Sequence, residues 1–128
     1  MDQQRVSFTP EQADSLLPVL SALLLRLQED LDMATDQAAI ERLQPLAGHN
    51  GGGEWASKAL AAGERARCGL QELAEKGLVL RDPESGLIDF PSEVDGIAAF
   101  LCWRLGEPRV DWWHPRDQGY ASRRRLVR

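Results

Sequence analysis

Cysteine is scarce in this chain. Two residues, Cys68 and Cys102, make no disulfide framework, so a reducing cytoplasm is the expected setting. Histidine is equally scarce, with two residues, and no paired Cys or His spacing of the structural-zinc kind occurs. No apolar run approaches the roughly 20 residues needed to span a bilayer. The opening MDQQRVSF lacks the basic, apolar and small-residue regions of a signal peptide. Membrane association is therefore not expected. Internal repeats are also missing, and the only low-complexity stretch is the glycine cluster at 48–53.

What remains is ordinary soluble composition: 43% hydrophobic and 27% charged residues over 128 positions. That length predicts a single domain, 1–128, able to bury a core without disulfides or metal. The net charge of −5 hides an asymmetry. Residues 1–100 carry 8 basic and 17 acidic side chains, and residues 101–128 carry 7 and 3. A basic tail, 115–128, thus follows an acidic body, and docking of that tail on its own body needs no outside partner.

FTPEQADSLLPVL reads as a helix start. Thr9 suits the N-cap, Pro10 the first helical position, and Gln12 closes a capping box with Thr9; Phe8 is placed to staple onto Ala13. Ala13, Leu16, Leu17, Leu20, Leu23, Leu24, Leu27, Leu31, Ala34 and Ala38 then recur at steps of three and four, one apolar face of a long helix. Pro18 removes one backbone bond and is expected to kink the first turns. The helix should end near Leu43, ahead of Pro45, at a length on the order of 50 Å. Such a rod needs a second helix beside it. AGHNGGGEW, with His49 among its glycines, reads as the connector, and the Lys-Ser/Thr of a phosphate-binding loop is absent from it. A second helix from about Glu54 to Lys76 follows, with Trp55, Ala59, Leu60, Ala66, Leu70, Leu73 and Ala74 at helical spacing and Gly77 as its stop. Residues 9–76 then form a long antiparallel helical hairpin.

After Gly77 the period changes. LVLR, DPESG and LIDFP read as strand, turn and strand; AAFLCWRL and RVDWWH are two more strands, joined by a turn at 105–108. Residues 78–114 thus predict a small antiparallel sheet of about four strands, and the whole an α+β domain. Leu101, Trp103 and Val110 are expected in the core.

FTPEQADSLLP, GLVLRDPESGLIDFPSEVDG and LCWRLGEPRVDWWH, with Gly119 following, together resemble a bacterial family of small proteins known as domain of unknown function 2203. The resemblance covers both ends of the chain. It implies an identity and no activity. At Gly119-Tyr120-Ala121-Ser122-Arg123 the chain departs from a Gly-Phe-Ala-Gly-Arg pattern, with Ser122 in place of a glycine.

The polar residues that strand pairing would gather are Asp89, Asp95, Cys102, Arg104, Glu107, His114 and Arg123. Asp89 lies between Ile88 and Phe90, so it must face solvent, cap a turn or pair with a cation; Arg104 is the expected partner and Arg123 the second choice. His114, Glu107, Asp89 and Arg104 are the catalytic candidates, and His114, Glu107, Asp89 and Asp95 a lesser divalent-metal set. Cys102 reads as a small buried side chain, with a nucleophilic role only if His114 shares its face. Trp112 and Trp113 point to opposite faces, one to the core and one outward; with Arg123 they are the ligand or interface candidates. The acidic body argues against nucleic acid. The first expectation is a cytoplasmic, non-catalytic binding or assembly module, a homo-oligomer (a dimer in the simplest case) held through its long helices, without a cofactor. The alternative is an enzyme, a metal-assisted hydrolase with its Asp/Glu/His/Arg site on the sheet.

Overall fold

A computed structural model describes residues 7–43 and 48–128, without the side chains of 37–43, 48–52 and 55. Pro45 and the side chains of Ala38, His49 and Trp55 therefore lie outside the described residues.

Helix α1, Pro10–Leu43, starts at the expected capping box. The Thr9 N–H donates to Gln12 Oε1 at 2.9 Å, and the Gln12 N–H returns to Thr9 Oγ1 at 3.1 Å. Pro18 lies on the exposed side of a helix that continues through it. Phe8 packs edge-on to Phe90, with ring centroids 5.6 Å apart, and its backbone binds both Pro91 and Ser92.

Helix α2 is Gly48–Glu75, so residues 48–53, expected as the connector, are its first turns. Each glycine there costs roughly 1 kcal/mol against alanine, so the helix begins against local preference. The contacts run in opposite senses along the two helices: Arg65 pairs with Asp30, and a side chain at Gly69 would meet Leu23 and Leu27. The inward stripe of α2 is Ala62, Ala66, Gly69 and Leu73, while Leu60 and Leu70, expected on that stripe, face outward. Small residues there let the helices approach closely, a choice that a hydrophobic period alone does not reveal.

The remainder is a five-stranded antiparallel sheet in chain order: β1 Val79–Asp82, β2 Leu87–Val94, β3 Ile97–Arg104, β4 Trp112–Pro115 and β5 Arg124–Arg125. The fold is thus α+β, with one strand more than expected. β5 hides from pattern reading because it has two residues, both arginine, and the basic tail otherwise looks unstructured. It pairs with Trp112 and Trp113, and the tail also returns Arg128 to Asp14 of α1 at 2.7 Å.

One sheet face, with Ile88, Phe90, Leu101, Trp103 and Trp113, packs on Leu17, Leu20, Leu24 and Leu27. Val110, in the loop before β4, joins this core. At the β1–β2 turn, Gly86 has φ +72°, and a Cβ there would lie 2.6 Å from Leu105 Cβ. Gln28 of α1 donates to the carbonyls of Pro83 and Glu84, tying helix to turn. Among the described residues no helix is long and apolar enough to cross a membrane.

Candidate functional site

Strand register decides what meets on the face turned away from the helices. Asp89 pairs with Cys102, Cys102 with Trp112, and Phe100 with His114. Paired residues of neighbouring strands share a face, so Asp89, Cys102, Phe100, Trp112 and His114 all stand on this side. Cys102 and His114 therefore do share a face. The chain then folds back over it: residues 116–119 and the short 3-10 turn Tyr120–Ser122 lie across these side chains. Asp89 and His114 are 2% exposed and Cys102 is fully buried.

The centre is a three-member hydrogen-bonded chain. Arg81 Nε donates to Asp89 Oδ2 at 2.8 Å, and His114 Nε2 meets the same oxygen at 3.0 Å. The Nδ1–H of His114 donates to the Pro115 carbonyl at 2.9 Å. Both ring nitrogens thus face oxygen acceptors, and the Nε2–Oδ2 contact closes only with a proton shared between them. Asp89 Oδ1 is buried with no hydrogen-bond partner among the described residues. Such an atom is unusual in a folded protein and asks for a donor.

This group walls a cavity of about 360 Å³, with Arg81, Asp89, His114, Arg116, Asp117 and Tyr120 in its lining. Arg116 Nε donates to the Ala99 carbonyl at 3.2 Å. The guanidinium carbons of Arg81 and Arg116 lie 5.0 and 5.1 Å from the Phe100 ring centre. A larger hollow of about 490 Å³ runs between the helices, along Leu23, Leu27, Glu64, Arg65 and Cys68, but among the described residues no buried side-chain nitrogen or oxygen there lacks a partner.

Arg104 and Arg123 do not reach Asp89, contrary to expectation. Arg104 pairs with Leu87, two residues from Asp89 along β2, so its guanidinium turns to the Tyr120 hydroxyl, at 2.8 Å. Arg123 binds Glu107 at 3.4 Å and lies between Trp112 and Tyr120, 4.5 and 4.4 Å from their ring centres. Glu107 also accepts from the Arg104 N–H and so braces the loop before β4 instead of joining the cavity. Asp95, with φ 52°, is exposed in the β2–β3 turn. Of the catalytic candidates, then, Asp89 and His114 come together, and Arg104 and Glu107 stand apart. Among the described residues no three His, Cys, Asp or Glu side chains gather as a metal site. Trp113 is the inward tryptophan, 8% exposed, and Trp112 the half-buried outer one.

Cys102 is held as a thiol. Burial and the neighbouring Asp89 charge push its pKa up to about 11, against the opposing pull of Arg123. Cys102 is not among the residues that line the cavity, and its sulfur is no nucleophile near neutral pH.

Sequence reasoning missed Arg81, Arg116 and Tyr120. For Arg81 a signal existed: LVLR and LIDF flank one turn, which brings Arg81 near Asp89 across the strand pair. A register shift between Leu80 and Asp82 sets the final approach.

A family model described as "Uncharacterized conserved protein (DUF2203)" matches residues 6–126. No curated protein and no solved structure matches the chain.

Proposed function

We propose that this chain, which belongs to the DUF2203 family, is a non-catalytic binding module that takes a small molecule into the cavity beside Asp89 and His114. The observation behind this reading is Asp89, which lines a cavity of about 360 Å³ and whose Oδ1 is buried without a hydrogen-bond partner among the described residues. Binding is favoured over hydrolysis because both nitrogens of His114 are already engaged and Cys102 is a poor nucleophile. Neither group offers a free base to a substrate. Two unpaired cysteines suit a reducing cytoplasm.

The test is a fragment screen of mixed charge, read by amide chemical shifts. Fragments that converge on Arg81, Asp89, His114 and residues 116–120 support the reading. Shifts confined to the groove between the helices, or scattered without a common site, overturn it.

Self-association is a second reading, favoured by Leu60 at 75% exposure with Val19, Leu25 and Leu70 also open on the helices. The two helices then act as one antiparallel hairpin whose outer leucines meet a second copy. Light scattering at tens of micromolar should give a dimer that Leu60→Asp dissociates; a strictly monomeric mass ends this reading.

A further inference from the structure

We infer that the ligand is a small hydroxylated anion, whose carboxylate or phosphate seats on Arg81 and Arg116 while its hydroxyl donates to Asp89 Oδ1. The inference rests on the cavity being a binding site and goes beyond it by naming what the walls select.

The two arginines are preset for an anion. Each is fixed through Nε, Arg81 to Asp89 and Arg116 to the Ala99 carbonyl, and each guanidinium lies against the Phe100 ring. Their Nη groups have no hydrogen-bond partners among the described residues. A guanidinium anchored at Nε keeps its outer donors in a planar fork, which fits the paired oxygens of a carboxylate or phosphate. Tyr120 adds a further donor. Its oxygen accepts from Arg104, so its own hydrogen is free to be given.

The second half of the ligand follows from Asp89. One oxygen is occupied by Arg81 and His114, and Oδ1 needs an N–H or O–H. Arg81 and Arg116 line the cavity with that carboxylate, and Asp117 is the other acid among the lining residues. An ammonium would meet these positive charges, whereas a hydroxyl supplies the donor without a charge. The cavity volume equals that of on the order of ten waters, so a molecule of a few carbons bearing one acid group fits.

Matched pairs of probes test this by calorimetry at low ionic strength: glycerate against propionate, and glycerol 1-phosphate against methyl phosphate. At least one hydroxylated member should bind about tenfold more tightly than its partner, as expected for a hydroxyl on a charged acceptor. The pair that responds identifies the anion as carboxylate or phosphate. Arg116→Gln should weaken that binding about tenfold while the protein melts within a few degrees of wild type; Arg81→Gln serves as the second variant. Equal affinity within both pairs, or an Arg116→Gln protein that binds as wild type does, overturns the inference. If none of the four probes binds but neutral or cationic fragments fill the cavity, the inference falls and the binding-module reading stands. If no fragment of any charge enters the cavity, both fall.

Discussion

Replacing Asp89 by alanine removes the shared partner of His114 and Arg81. His114 is 2% exposed and would keep Nε2 buried without an acceptor, whereas Arg81 is 45% exposed and can turn to solvent. The cost therefore falls on the histidine side. Breaking a buried pair by removing one member costs about 3–5 kcal/mol, and because only His114 of the two partners stays buried, this case lies near the lower end, about 3 kcal/mol. For a domain of this size that lowers the melting temperature by about 10 °C. Substituting both members with apolar residues, Asp89→Leu with His114→Phe, removes the unmatched polar atoms together. This variant should lie within about 1 kcal/mol of wild type, a coupling of about 2 kcal/mol or more. Urea unfolding followed by tryptophan fluorescence measures these proteins together with the single variants Asp89→Leu and His114→Phe, with Trp103 and Trp113 reporting from the core. The reasoning is refuted if Asp89→Ala costs under about 1 kcal/mol, or if the double variant loses as much as the two single substitutions combined.

Four other outcomes follow from the same structure. Gly86→Ala forces a side chain into a left-handed conformation and against Leu105, so unfolding should show a loss of about 2–4 kcal/mol; a loss below about 1 would mean the turn relaxes freely. Iodoacetamide near neutral pH should label Cys68 and spare Cys102, whose pKa is raised to about 11; mass spectrometry showing rapid double labelling of folded protein contradicts this. At Asp14, burial opposes ionisation, but hydrogen bonds from Arg128 and the Val110 N–H, with the charges of Arg128 and Arg109, outweigh it and lower the pKa below 3.8. Its contribution is present above that value and lost as pH falls through the lower folded-state pKa, so the stability gap between wild type and Asp14→Asn should hold from pH 7 to about pH 5 and close below about pH 4; a gap that widens in acid gives the wrong sign. Zinc or manganese should leave the melting temperature unchanged, and a clear rise with either would establish a metal site that the described residues do not form.

Local chemistry made much of the fold legible. The Thr9–Gln12 capping box, the Gly77 stop, the turn at 82–86 and the core positions Leu101, Trp103 and Val110 each depend on a few neighbouring residues. Features set by long-range pairing were not legible. β5 exists because Arg124 and Arg125 find Trp113 and Trp112, and nothing within the tail itself announces a strand. The start of α2 at Gly48 goes against glycine's own preference. At the site, Asp89 was visible as a misfit between Ile88 and Phe90, and His114 as a titratable ring at a strand end, a place that suggests access where the fold-back buries it. Their meeting depended on register, and the partner assigned to Asp89 was wrong because Arg104 lies two residues off its row. Arg116 and Tyr120 reach the cavity only through the fold-back of the tail, a path that spacing cannot encode.

The most direct test of the central claim is a high-resolution crystal structure of the protein with its tightest-binding fragment. The account predicts ligand density in the cavity between Arg81, Arg116 and Tyr120, with a donor atom within hydrogen-bond distance of Asp89 Oδ1. A fragment bound elsewhere, with Oδ1 satisfied by a protein group or by ordered water alone, would contradict it.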